Sequence, residues 1–296
     1  MKKMLVLGSN GQLGRCLQDQ LSKTEYVIIY ASREEIDIAD FEATKTKLLK
    51  YAPDVVINAA AYTAVDKAEE NEQKANFINH LAVSNLASIC NLLNCWLVHI
   101  STDYVFDGKS KTAYEEEDKT NPISIYGTTK LLGEAAIKSS GSNYIIIRTA
   151  WVYSEYGNNF LKTMLRFCID KSEISIVGDQ IGSPTYAQDL AKAILTILKN
   201  IKLKKVSSSL YHFSGNSTLS WADFSKLIFD EALALKIIKN KPKINVVTTS
   251  EFSTLAERPA RSHLSSRKLR STFDIHPSNL TLGIRSTLKA IKNSGN

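Results

Sequence analysis

The sequence predicts an α/β fold: a doubly wound parallel sheet covered by helices on both faces, with a smaller lobe built from the C-terminal half. Three observations lead there. Short, continuously apolar runs alternate with longer amphipathic ones through the first 150 residues, the pattern of strands buried on both faces. A glycine-rich turn follows the first of those runs. After Trp151 the alternation gives way to helical segments separated by short polar or proline-containing pieces. A chain of 296 residues exceeds a typical single domain, and we place the division at 1–150 and 151–296.

The first run, MLVL at 4–7, reads as a strand. Four apolar residues ended by Gly8 are too few for the core of a signal peptide, despite the preceding Lys2-Lys3. Residues 11–21 read as the helix that follows it. Further strands are expected at 26–30, at 55–58 after Pro53-Asp54, at 96–100 and at 144–147. Apolar residues at three- and four-residue spacing predict one long helix over 66–94 and another over 122–138. In the C-terminal half, helices are expected at 160–170, 187–199, 221–236 and 280–292, whereas 242–270 carries little periodic signal. Val177 and residues 211–213 are candidate strands that return to the main sheet, so the lobe is only mainly separate.

Composition narrows the function classes. The chain is 44% hydrophobic and 23% charged, ordinary for a globular protein, and no apolar run approaches the roughly 20 residues that cross a bilayer. A net charge of +7 suits a small anionic ligand, but the lysines are dispersed, unlike the clustered patch of a nucleic-acid binder. Cys16, Cys90, Cys95 and Cys168 form no Cys-x-x-Cys pair and no histidine cluster accompanies them. They read as structural thiols in a reducing, cytoplasmic compartment, with no metal site.

Gly8, Gly11 and Gly14 frame Gln12 and Leu13 in a G-x-x-G-x-x-G turn between the first strand and the first helix. Glycine permits the tight turn and close backbone approach, and the helix N-terminus offers free N–H groups to a pyrophosphate. The fold is therefore Rossmann-like and the expected cofactor a dinucleotide. No acidic residue stands directly after the second strand to hold a ribose 2′-hydroxyl. Arg33 suits a 2′-phosphate, which favours NADPH slightly over NADH, although a surface arginine beside Glu34-Glu35 explains it nearly as well.

Tyr126 and Lys130 lie four residues apart, on one face of a helix. Of twelve tyrosines, Tyr126 alone has lysine at that spacing. A phenol of pKa about 10 needs help to exchange a proton near neutrality, and an adjacent ammonium supplies it. Ser101-Thr102 ends the fourth strand, at the carboxyl edge where open α/β sheets bind ligands.

These features, with PDVVINAAAYTAVDKAE at 53–69, STDYVFDG at 101–108, RTAWVY at 148–153 and GDQIGSPT at 178–185, resemble the extended short-chain dehydrogenase/reductase family. The resemblance is sharpest with its members that reduce 4-keto sugar nucleotides. It implies NAD(P)H-dependent reduction of dTDP-4-dehydro-L-rhamnose to dTDP-L-rhamnose, a precursor of O-antigen or cell-wall polysaccharide. Thr102, Tyr126 and Lys130 would form the catalytic triad. Gly8, Gly11, Gln12, Leu13, Gly14, Arg33, Asp37, Ile38, Ala61 and Thr63 would hold the cofactor, together with Tyr126 and Lys130. Thr102, Asp103, Tyr104, Tyr126, Trp151 and Arg258 would contact the dTDP-sugar substrate. Trp151 would offer its indole face to the 6-deoxy side of the sugar, and Arg258 would meet the diphosphate. Arg15 and Cys16 stand where some members carry a magnesium-binding glutamate, so no metal-bridged dimer is expected, and the assembly is a monomer or homodimer. The rival readings are a reductase of another 4-keto-6-deoxy sugar nucleotide, a cofactor-binding regulatory subunit without activity, and an epimerase or dehydratase.

Overall fold

In the computed structural model, which describes residues 3–203 and 205–294, the chain builds around a six-stranded parallel sheet. Its strands and helices, in chain order, are β1 (Lys3–Leu7), α1 (Gln12–Leu21), β2 (Val27–Ala31), α2 (Phe41–Tyr51), β3 (Val55–Asn58), α3 (Val65–Glu70), α4 (Glu72–Asn76), α5 (Ala82–Leu92), β4 (Trp96–Thr102), α6 (Ile125–Ser139), β5 (Asn143–Thr149), β6 (Val152–Tyr153), α7 (Phe160–Asp170), β7 (Glu173–Val177), β8 (Ile181–Gly182), β9 (Thr185–Tyr186), α8 (Ala187–Lys202), β10 (Ser209–His212), β11 (Leu219–Ser220), α9 (Trp221–Ala234), β12 (Lys243–Val247), α10 (Arg267–Phe273) and α11 (Leu280–Asn293). The sheet order is β10-β5-β4-β3-β1-β2, so the chain reverses direction across the sheet between β1 and β3. A doubly wound sheet opens its ligand crevice at such a switch point.

The strands are apolar because both faces are covered. Met4, Leu5, Val6 and Leu7 are all fully buried, as are Val55, Val56 and Ile57. One face packs on α1 and α8 through Leu13, Leu17, Leu190 and Ile194. The other packs on α2, α5 and α6 through Leu48, Leu86, Ile89 and Ile137. A third core joins α7, α9 and α11 through Met164, Phe224, Ile228 and Ile284. Among the described residues no helix is long and apolar enough to cross a membrane.

The structure departs from the sequence expectations in several places. The helix expected over 66–94 is broken at Asn71, whose φ of −128° and ψ of 49° end α3, and it winds as a π turn over Phe77–Leu81 before α5 begins. Residues 209–212 do join the main sheet beside β5, but Val177 does not. It belongs to β7, which pairs with β12 in a separate two-stranded sheet. That partner strand lies within 242–270, the stretch that carries little periodicity, and α10 begins there. Lys2, part of the weak signal-peptide resemblance, lies outside the described residues.

Candidate active site

The glycine turn sits at the switch point. Gly8 has φ +71°, and a Cβ on it would lie 2.8 Å from the Ala60 amide of the loop after β3. A Cβ on Gly14 would lie 2.3 Å from the Gly8 carbonyl oxygen, so α1 rests directly on the turn. No side chain caps the start of α1, which leaves the first-turn N–H groups of Gln12, Leu13 and Gly14 for a ligand. A cradle that excludes side chains and presents unpaired donors fits a pyrophosphate. The Gln12 carboxamide is already engaged: its Oε1 accepts from Ser154 Oγ at 3.1 Å and from Asn159 Nδ2 at 2.9 Å.

Beside the turn, the loop carrying Ala61 and Thr63 is held by Asn79 of the π turn. The Tyr62 amide donates to Asn79 Oδ1 at 2.9 Å, and Asn79 Nδ2 donates back to the Tyr62 carbonyl at 3.1 Å and to Thr129 Oγ1 at 3.2 Å. Past β2, Arg33 is largely exposed and donates to Asp37 at 3.1 Å, while Ile38 is buried. Arg33, Asp37 and Ile38 thus share one corner, with the positive charge of Arg33 matched by Asp37.

Thr102 ends β4 and Tyr126 lies in the first turn of α6. Ser124 caps that helix by accepting from the Gly127 amide, and Glu69 of α3 accepts from the Ile125 amide at 2.9 Å. These caps fix where the phenol points: its hydroxyl meets the Thr102 hydroxyl, and its ring stands edge-on to Tyr104. Burial pushes the phenol up to about 12, only partly opposed by the Thr102 hydroxyl and reinforced by the Asp103 charge. Asp103 is itself buried, which raises its carboxyl to about 6. Its Oδ1 accepts from Thr102 Oγ1 at 3.1 Å, and the Ser262 and Thr102 hydroxyls partly oppose the rise.

Lys130 is buried one turn further along α6. The sequence expectation was an ammonium that depresses the tyrosine. Its Nζ donates to the Ile100 carbonyl at 2.6 Å and lies 3.0 Å from His99 Nε2. Desolvation lowers Lys130 to about 8, against the pull of Glu134. The phenol is therefore held protonated rather than ionised, because its burial outweighs any nearby positive charge. Glu134, next along the same face, forms a fork with Arg148 of β5 at 2.8 and 2.7 Å and accepts from Ser101 Oγ at 2.6 Å.

Trp151 follows β5 with φ +47°, a left-handed backbone rare for an aromatic residue. Its ring stacks on Trp221 at the start of α9, centroids 3.4 Å apart and planes within 4°. One indole face is therefore taken by Trp221, and Gly182 lies close against ring atoms Cε2, Nε1 and Cζ2. Trp221 in turn lines a cavity of about 710 Å³ with Phe160, Met164, Phe167, Phe252 and Arg258. Arg258 is not a free anion fork. It grips Asp66 of α3 through contacts of 3.1 and 2.6 Å, which raises the guanidinium pKa and lowers that of the carboxyl.

The structure thus gathers Thr102, Asp103, Tyr104, Tyr126 and Lys130 at the carboxyl edge of the sheet. The glycine turn lies at the neighbouring switch point, and Trp151 and Arg258 belong to the lobe side. Sequence reasoning missed His99 and Glu134, which act on Lys130, and Arg148, which pairs with Glu134. A signal was there: His99 and Arg148 are single polar residues inside WLVHI and YIIIR, strands otherwise apolar and buried on both faces.

The family model described as RmlD substrate binding domain matches residues 1–293. A dTDP-4-dehydrorhamnose reductase of Aggregatibacter actinomycetemcomitans is 40% identical over 280 residues, 94% of this chain and 95% of that protein. One from Salmonella typhimurium is 37% identical over 288 residues, 96% of each chain. Among solved structures, a dTDP-4-dehydrorhamnose reductase from Bacillus anthracis in complex with NADP is 36% identical. It superposes with a TM-score of 0.91 and covers 98% of this chain and 100% of that one.

Proposed function

The chain belongs to the RmlD substrate binding domain family, and from that membership we propose that it reduces the 4-keto group of dTDP-4-dehydro-L-rhamnose to give dTDP-L-rhamnose, using NADPH or NADH. The observation that carries the reading is the meeting of the Tyr126 and Thr102 hydroxyls at the carboxyl edge of the sheet, beside a glycine turn with a free helix N-terminus. The first 150 residues hold the dinucleotide, with Gly8, Gly11, Gln12, Leu13 and Gly14 at the pyrophosphate. Arg33, Asp37 and Ile38 sit toward the adenosine end, and Ala61 and Thr63 line the cofactor pocket further along. The lobe from 151 onward closes over the sugar nucleotide, with Trp151 and Arg258 on its wall. The enzyme works in the cytoplasm as a monomer or homodimer.

When bound, the nicotinamide supplies the hydride. The protein's part is alignment and a proton. Tyr126 gives its proton to the C4 oxygen of the sugar. A phenol held near 12 stays protonated at neutral pH, and a sugar alkoxide is basic enough to take that proton. Thr102 has one proton, which lies on Asp103 here and turns to the C4 oxygen when substrate arrives, fixing the carbonyl before charge develops.

The test is the purified protein incubated with dTDP-4-dehydro-L-rhamnose and each reduced nicotinamide in turn. Oxidation of NADPH or NADH with dTDP-L-rhamnose identified by NMR is the expected result. A different 6-deoxy sugar would move the substrate assignment, and no turnover would favour a regulatory role.

A further inference from the structure

Between the short turn at Thr249–Glu251 and Ala260, the chain passes along the cavity with no helix or strand of its own. Phe252, Thr254 and Arg258 line the cavity, whereas Ser253, Leu255 and Glu257 are exposed. That alternation is the pattern of an extended chain with one face inward. Among the described residues, no strand pairs with it. Its ends are fixed: Thr249 donates its amide to Asp179 at 2.9 Å and its hydroxyl at 2.7 Å. The Ala260 carbonyl accepts from the Ile181 amide at 2.8 Å.

Between those ends, among the described residues, the hydrogen bonds and ion pairs that leave the segment run to Asp66 and Tyr104. Asp66 Oδ1 accepts from the Ala256 amide at 3.2 Å, and the carboxylate takes both terminal nitrogens of Arg258. Arg258 also meets the Tyr104 hydroxyl, and its Nη1 donates back to the Ala256 carbonyl at 3.1 Å. Asp66, Ala256 and Tyr104 thus occupy most of the N–H donors of the guanidinium.

We propose that residues 252–258 form a flap over this cavity, and that Asp66 is the positioning residue that latches it, acting through Arg258. The latch ties the lobe to α3 of the dinucleotide-binding half. Closed, it sets Arg258 against Tyr104, whose ring stands edge-on to Tyr126; open, it admits the sugar nucleotide. Little else holds the flap. Ala256 is its one fully buried residue, and Phe252 is 44% exposed although it lines the cavity. An extended segment without a ladder opens locally, at a cost set by its few contacts. An exposed ion pair would contribute little. This one is two-pronged, its guanidinium is only 20% exposed, and a backbone amide shares the carboxylate.

The inference rests on reading the cavity as part of the sugar-nucleotide site, but its first test uses the ligand-free protein. Hydrogen exchange of the peptide spanning 252–258, followed by mass spectrometry, reads the opening. Asp66 is 43% exposed, so Asp66→Asn keeps the fold and an acceptor for the Ala256 amide while losing the charge. The expected result is exchange about tenfold faster in this peptide, with α6 unchanged and most of the protection restored in Asp66→Glu. Saturating dTDP should slow the same peptide in the unaltered protein. Its Kd should rise about tenfold in Asp66→Asn, with NADPH affinity unchanged. Equal exchange in Asp66→Asn and the unaltered protein would overturn the latch, and bound dTDP that leaves the peptide unprotected would overturn the flap. Faster exchange in Asp66→Asn, in a protein that neither binds dTDP nor reduces the keto sugar, would support the latch and count against the functional reading.

Discussion

Arg148 and Glu134 face each other as a two-pronged fork, 2.8 and 2.7 Å apart, and neither side chain is more than 2% exposed. The pair joins α6 to β5 one turn beyond Lys130, so it sets the height at which the helix carries Tyr126 and Lys130 over the sheet edge. A buried pair of this kind is weak evidence for net stability, but removing one partner strands the other charge. Glu134→Gln or Arg148→Met should each cost about 3–5 kcal/mol in denaturant unfolding. The double variant should lose much less than the sum. Single losses under about 1 kcal/mol would mean that water already solvates the pair.

Asp103 gives a pH signature. Its carboxyl is raised by burial from 3.8 to about 6, so between those values the folded chain keeps a proton that the unfolded chain has released. Stability contributed by that proton is complete below pH 4 and is lost as pH rises through 6. Asp103→Asn has no such proton. Its stability relative to the unaltered protein should therefore improve from pH 4 to pH 6 by up to about 3 kcal/mol, then stay level. Thermal unfolding at matched pH values measures it, and a flat difference across that window would show that the carboxyl titrates normally.

Gly182 lies against Trp151, where a Cβ would come within 2.4 Å of Cε2 and 2.6 Å of Nε1. Gly182→Ala should push the indole off its stack on Trp221. The near-ultraviolet circular dichroism of the stacked pair should fall, and KM for the keto sugar should rise about tenfold, equivalent to about 1.4 kcal/mol. NADPH binding, measured by fluorescence, should be unchanged because the glycine turn is elsewhere. Unaltered KM with a lost dichroism signal would remove Trp151 from the substrate site.

Much of the fold is legible in the sequence because strands buried on both faces have to be apolar throughout. That is why 4–7, 55–58, 96–100 and 144–147 stand out. The elements that stay hidden are those with little to bury. Helix α2 fully buries only Thr44 and Leu48, with Phe41 and Tyr51 partly buried, and β12 is half-exposed along its length. The break at Asn71 is set by α3 packing under the start of α6, where Glu69 reaches the Ile125 amide, a contact between residues 56 apart. The site divides the same way. Gly8, Gly14, Thr102, Tyr126 and Lys130 are readable from spacing and order. The partners that decide their charge are tertiary: His99 is 31 residues from Lys130, Glu134 is 33 from Ser101, and Asp66 is 192 from Arg258. Local spacing pairs a lysine with a phenol, whereas the burial that raises the phenol and lowers the lysine comes from tertiary packing.

Tyr126 is proposed to deliver the proton to the sugar oxygen. Tyr126→Phe keeps the ring, its edge contact with Tyr104 and the caps of α6, and removes only the hydroxyl. The direct measurement is NADPH oxidation by this variant and the unaltered protein with dTDP-4-dehydro-L-rhamnose at saturating concentrations. The expected result is a fall in kcat by about 10²–10⁴, the usual worth of a positioned general acid, with NADPH affinity retained. Turnover within a few-fold of the unaltered protein would contradict it.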